Sequence, residues 1–329
     1  MAYRFRSNES VPEGIQRIVR EEVEDATKQL GNTKGAKRDE AIHEARKSIK
    51  KIRGAIRLMQ PELGRIYRRE NKRLGDAGRQ LSDIRDAEAI IEVFDGVVEK
   101  YKAQLKPEAI RGIRRGLLKS KHETEQNIRV DSVVRQAVSA LRGIGRDAAK
   151  WPLKDNGFDA LAPGFKRRYR RGHKAMETAR KQPAPETFHE WRKRVKDHWY
   201  HVRLLESLWT GVLQARESSL KELETWLGDD HNLVVLHEKL NADPARYGGE
   251  ENVRLFTTLM DDYSKELREK SLSLGARIYE QKPKLLVREM SKLWDAWQSQ
   301  PASMQDEKEQ RAPARKGPAA ARAVKRAVA

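Results

Sequence analysis

The feature that most constrains this chain is an internal repeat. His43, Arg46, Lys47 and Lys50 recur as His189, Arg192, Lys193 and Lys196, an offset of 146 residues. The same offset sets Arg57 and Leu58 on Arg203 and Leu204. It also sets Leu81, Asp83, Arg85 and Asp86 on Leu227, Asp229, His231 and Asn232, without a gap. Two motifs that keep one spacing imply duplication of a whole domain. The length of 329 residues agrees, because a core is expected to divide into units of roughly 150 residues at this size. The best boundary is the stretch from Trp151 to Gly157, where Pro152 and the run Asp155, Asn156, Gly157 disfavour a continuous helix. The expected organisation is therefore a first helical bundle over 8–150, a second over 151–300, and a tail over 301–329.

Within each copy the apolar residues recur at helical spacing, and no run alternates with the period of a strand, so the expected class is all-α. Ser10, Pro12 and Glu13 announce the first helix as cap, first-turn proline and capping-box partner, and it should end before Gly31. Further helices are expected over 38–60, 64–102 with a break near Ser82, 107–121, 131–149, 163–181, 186–209, 213–227, 231–241, 249–280 and 283–298. The segment from Arg311 to Ala329 has six basic residues, no acidic one and two prolines, which reads as a disordered basic tail.

On a helix at about 100° per residue, His43, Arg46, Lys47, Lys50, Arg53 and Arg57 share one stripe. Ala45, Ile49, Ile52, Ile56 and Met59 form an apolar stripe directly beside it. The second copy repeats this with His189, Arg192, Lys193, Lys196 and Arg203 beside Val195, Trp199, Val202 and Leu205. A basic stripe that adjoins the core can line a groove between helices. A third helix carries Arg167, Arg170, Arg171 and Lys174, and a weaker fourth case is Arg111, Arg114, Arg115 and Lys119. Like charges at helical spacing destabilise a lone helix, so something anionic should face them. A bare solvated face is the ordinary explanation of a basic helix, but retention of the stripe, histidine included, in two diverged copies favours anion binding.

Lys and Arg number 68 against 49 Asp and Glu, a net charge of +19, which points to an acidic partner: nucleic acid, an anionic membrane surface or a smaller polyphosphate-type ligand. The chain has no cysteine, which excludes disulfides and thiolate chemistry and fits a reducing compartment. No stretch approaches the roughly 20 apolar residues that span a bilayer, and the N-terminus has no signal-peptide core, so a soluble, cytoplasmic protein without membrane contact is expected.

Catalysis of phosphate transfer would need metal-holding carboxylates or a nucleotide cradle, and no G-x-x-x-x-G-K-[ST] loop occurs. His198, His201, Asp229, Asp230 and His231 are the best metal candidates, but His201 lies beside the apolar stripe and the aspartates look like a helix cap, so no metal or cofactor is expected. His43 and His189 sit among cations that should keep them neutral, as hydrogen-bond donors to an anion. Nucleic-acid binding is the runner-up, although Trp191, Trp199, Trp209 and Trp226 fall at apolar positions rather than as stacking platforms. An adaptor bundle for an acidic protein is a third reading.

With these motifs in hand, the chain resembles the CHAD family, the conserved histidine α-helical domain, over about residues 8–300. The markers are His43, Arg46, Lys47 and Lys50, the pair Arg85 and Asp86, the run from Phe188 to Tyr200, and Leu227 to His231. The resemblance implies two four-helix bundles related by pseudo-twofold symmetry, around a basic groove or pore that binds inorganic polyphosphate. It also implies association with polyphosphate granules, with polyphosphate-metabolising enzymes as further partners, and a binding rather than an enzymatic role. Carried over by residue, the polyphosphate-binding set is His43, Arg46, Lys47, Lys50, Arg57, Arg85, His189, Arg192, Lys193, Lys196 and Arg203, with Arg170, Arg171 and Lys174. Arg53 and Arg167 join it from the stripes themselves. Asn232 stands where the first copy has Asp86, and the opening Glu-x-Glu-x-Lys signature of a triphosphate-tunnel partner domain is missing.

Overall fold

The computed structural model is described for residues 3–31, 38–127 and 129–300, apart from the side chains of 83–86, 125 and 127. Among these residues the chain is helix and turn, with no strand. The helices are α1 (Val11–Leu30), α2 (Arg38–Leu58), α3 (Gln60–Lys100), α4 (Pro107–Asn127), α5 (Val130–Ala148), α6 (Phe158–Lys181), α7 (Pro185–Leu204), α8 (Thr210–Ala242), α9 (Glu250–Ile278) and α10 (Pro283–Gln298). Short 3-10 turns lie at Lys102–Gln104, Glu206–Leu208 and Pro244–Tyr247. No helix among the described residues is long and apolar enough to cross a membrane.

The capping box expected at the first helix is present: Ser10 Oγ accepts from the Glu13 backbone at 3.3 Å, and the Glu13 carboxylate accepts from the Ser10 backbone at 2.8 Å. Several helix boundaries differ from the expected ones. The break near Ser82 does not occur, and the Ser82 hydroxyl instead donates to the Gly78 carbonyl at 2.8 Å, inside a continuous α3. The kink in this helix falls at Gly64, whose φ of 48° only glycine adopts easily. Asp229 and Asp230 are no cap, because α8 runs through them, and the buried Asp230 pairs with Arg268 of α9 at 2.8 Å. Pro163 lies inside α6 rather than at its start, where the burial of Leu161 and Phe165 offsets the missing N–H.

The buried apolar residues form two clusters. The larger joins α1, α2, α5, α6, α7 and α10 with the first parts of α3 and α8 and the end of α9. The smaller joins Ile91, Phe94 and Val97 of α3 and Ile113 of α4 with Leu236 of α8 and Phe256 of α9. Neither cluster is confined to one side of residue 150, and α3 and α8 pass through both. Two close approaches set the geometry at the site. A Cβ on Gly54 would lie 2.8 Å from Tyr200 Cβ, so α2 and α7 touch there, and a Cβ on Gly164 would lie 1.8 Å from the Leu58 carbonyl oxygen, so α6 rests on the end of α2.

Candidate anion-binding site

One turn before the contact of Gly54 with Tyr200, the stripes of α2 and α7 converge. Lys50 is held well below the ordinary lysine range by burial first, and then by Lys196, Arg46 and Arg192, with Glu224 of α8 acting the other way. Three of those four groups come from the opposite half of the chain. The Lys50 ammonium has no hydrogen bond or ion pair among the described residues. Its counterpart Lys196 is also lowered, first by burial, although Glu224 lies 3.0 Å away.

Glu224 is the acid at the centre of this group. It is 5% exposed and receives Lys196 on Oε1 at 3.0 Å and Lys221 on Oε2 at 2.8 Å, with Arg192 at 3.6 Å. Burial alone raises its pKa, but Lys196, Lys221 and Arg192 together hold the carboxyl below the usual carboxylate range. Arg192 reaches it across Gly228, where a Cβ would stand 3.2 Å from its Nη2.

Beside this group His189 and His231 face each other with ring centroids 3.9 Å apart. Burial lowers the pKa of both; His189 is lowered further by Lys193 and Arg192, and His231 falls to about 4 with His189, Arg192 and Lys193 against it. The expected neutral state of His189 follows from burial first and from cations second. The His189 Nδ1 is buried without a partner among the described residues.

Several residues of the stripes have other engagements. Arg57 pairs with the buried Asp197 at 2.8 Å, so its charge neutralises a core carboxylate. Arg203 lies over the rings of Tyr3, Trp199 and Tyr200 at 5.5, 5.1 and 5.8 Å, and 3.8 Å from Glu217. Arg53 donates to Asn71 Oδ1 at 3.2 Å and is lowered to about 10, by burial and then by Arg57. Lys47 and Lys193 pair along their own helices with Glu44 at 2.7 Å and Glu190 at 3.0 Å. Half-buried His43 and Arg46 lie on the same helix, and the side chain of Arg85 falls outside the described residues.

On α6, Arg167, Arg170 and Lys174 are exposed and Arg171 is half-buried, lowered by burial, Arg194, Arg168 and Arg167. The most buried basic residue of α6 is one the stripes did not single out. Buried Arg168 donates to Gln60 at 2.6 Å and Tyr67 at 3.3 Å, and meets Asp197 at 3.4 Å. Arg194 meets the same aspartate at 3.8 Å. Asp197 thus collects three arginines from three helices, and Glu224 collects three cations from two. Asp197 stands within the basic helix α7, but Glu224 lies on α8 among ordinary helical carboxylates, so nothing in the sequence singled it out. The Arg111 to Lys119 stripe lies on α4 away from these groups, with Arg111 paired to Glu108 at 3.0 Å and Arg114 paired to Asp95.

The metal candidates do not converge. His198 is buried against Phe165 and Tyr169, with centroids at 5.4 and 5.2 Å, and the His201 Nε2 lies 3.2 Å from the Gly54 carbonyl. Asp230 faces α9 and His231 faces His189, and no group of three or more such ligands forms among the described residues. Of the tryptophans expected in the core, Trp191 is fully buried and Trp199 and Trp226 are partly so, but Trp209 is 54% exposed, because α7 ends at Leu204 and a 3-10 turn swings it outward.

The CHAD domain model matches residues 17–241. The chain belongs to the CHAD family. The CHAD match runs from Arg17 in α1 to Asn241 near the end of α8, and so contains α2, α7, Glu224 and both members of the histidine pair. It ends before α9 and α10, short of the expected limit near residue 300. Among curated proteins nothing matches the chain.

Proposed function

We propose that this chain binds inorganic polyphosphate on the surface where α2 and α7 meet, with Arg46, Lys50, Arg192 and Lys196 as the central contacts and His43, His189, Lys47 and Lys193 beside them. The observation that carries this is Lys50, a half-buried ammonium with no ion-pair partner among the described residues, set against Lys196, Arg46 and Arg192 with Glu224 acting the other way. Such a cluster is electrostatically unfavourable alone and becomes favourable when a polyanion supplies the missing charge. Membership of the CHAD family supports the same ligand. Arg forks onto two phosphate oxygens while Lys acts as a point charge, which suits a chain whose phosphates all look alike.

The role is binding rather than catalysis, at polyphosphate granules, with enzymes of polyphosphate metabolism as neighbours. The two halves form a pseudo-twofold pair of bundles. Supporting this, Gly54 and Tyr200, which touch, and Lys50 and Lys196, which repel, are both pairs separated by 146 residues.

The test is a titration of the full chain with long-chain polyphosphate, pyrophosphate and duplex DNA at one physiological salt concentration. Long polyphosphate should outcompete DNA of equal charge concentration. Equal or tighter binding of DNA would replace this function with nucleic-acid binding.

A further inference from the structure

We propose that Glu224 is a built-in counter-anion that competes with the phosphate polymer and limits how tightly the site holds it, so that the two halves of the site bind unequally. This rests on the polyphosphate reading above. The position 146 residues earlier is Gly78, so the second copy sets a carboxylate against its stripe where the first copy has no side chain. Gly78 lies in α3 as Glu224 lies in α8, and a Cβ built on it would meet Ile49 Cγ2 at 3.5 Å, an ordinary contact. Lys196, Lys221 and Arg192 therefore share an anion already in place, while Lys50 has none of its own.

An internal acid of this kind has two opposite effects. It can hold cations in a useful arrangement, which strengthens binding, or it can occupy the charge a ligand would take, which weakens binding. The geometry favours competition. Both carboxylate oxygens are engaged at 3.0 and 2.8 Å, and the group is too buried to turn toward water when a phosphate arrives. Arg192 is placed independently by its seat over Gly228. A phosphate oxygen approaching Lys196 must share it with Glu224, whereas one approaching Lys50 displaces no ion pair. The consequence is a polymer gripped at the α2 side and held more loosely at the α7 side.

The experiment is calorimetric titration of the full chain with polyphosphate of one defined length at several salt concentrations, for wild type, Glu224→Gln and Gly78→Glu. Glu224→Gln should bind on the order of tenfold more tightly at low salt. Its plot of log K against log salt should steepen by about one, since one more cation is released to the polymer. Gly78→Glu should weaken binding by a similar factor while the helical spectrum is unchanged. Equal or weaker binding by folded Glu224→Gln would show that the acid positions cations, and the inference would fall. Should Glu224→Gln not fold, Gly78→Glu decides alone, and unchanged affinity overturns the inference. Absence of polyphosphate binding by the wild type would instead remove the functional reading itself, and the inference with it.

Discussion

Cations in a basic stripe divide into those that neutralise a buried carboxylate and those left to meet a ligand, and residue type does not reveal which. Arg57 and Arg192 illustrate the division, since both stand at stripe positions of α2 and α7. Arg57 lies 2.8 Å from Asp197, which is buried, so its removal leaves that carboxylate with Arg168 at 3.4 Å and Arg194 at 3.8 Å. Arg57→Ala should therefore destabilise the fold by about 1–3 kcal/mol, with little change in polyphosphate affinity. Arg192 stands 3.6 Å from its acid and beside Lys50, so Arg192→Ala should weaken polyphosphate binding roughly 10- to 100-fold with a smaller effect on stability. Denaturant midpoints and titrations of the two variants check the contrast, and exchanged effects would place Arg57 on the ligand.

At the scale of elements, the site exists because α2 and α7 come into direct contact. Neither stripe is a groove by itself. The contact needs Gly54, where an added Cβ would lie 2.7 Å from the Tyr3 hydroxyl and 2.8 Å from Tyr200 Cβ. Gly54→Leu should force the helices apart, costing about 1–3 kcal/mol of stability as overpacking does. It should also weaken polyphosphate binding, although it removes no charge. A leucine variant with native stability and affinity would show that the α2 and α7 contact does not set the site. The reach of α3 and α8 into both apolar clusters has a similar consequence, because a helix fixed at two places holds Glu224 and His231 rigidly against α7.

For the whole molecule, several histidines are kept neutral by the fold. His201 is fully buried and lowered to about 3 by burial, with Asp197 opposing, and His231 is lowered to about 4. Both take up protons near the ordinary 6.5 in the unfolded chain. The stability they permit is thus fully present above pH 6.5 and is lost as pH falls from 6.5 toward 4 and below. For His201 the loss is about 1.4 kcal/mol per pH unit in that window. Denaturation of wild type and His201→Gln at pH 7 and pH 5 tests this, the variant losing less on acidification. Equal losses would assign the acid sensitivity to the carboxylates.

Much of this was legible in the sequence because it depends on local periodicity. The spacing of apolar residues specified helices, Ser10 and Glu13 specified a cap, and the offset of 146 residues marked the stripes of His43 to Arg57 and His189 to Arg203 as equivalent. Charge at helical spacing is a property of one helix, so composition and order sufficed to find it. What composition could not determine is which stripes meet and which acids reach them. Asp197 and Glu224 lie among ordinary helical carboxylates in the sequence, and only packing across α2, α6, α7 and α8 turned one into the partner of Arg57 and the other into the counter-charge of Lys196. Those contacts depend on distance between residues far apart in the chain, as between Lys50 and Lys196. That distance was set by the joint burial of both halves in shared cores, where no single segment carries the information.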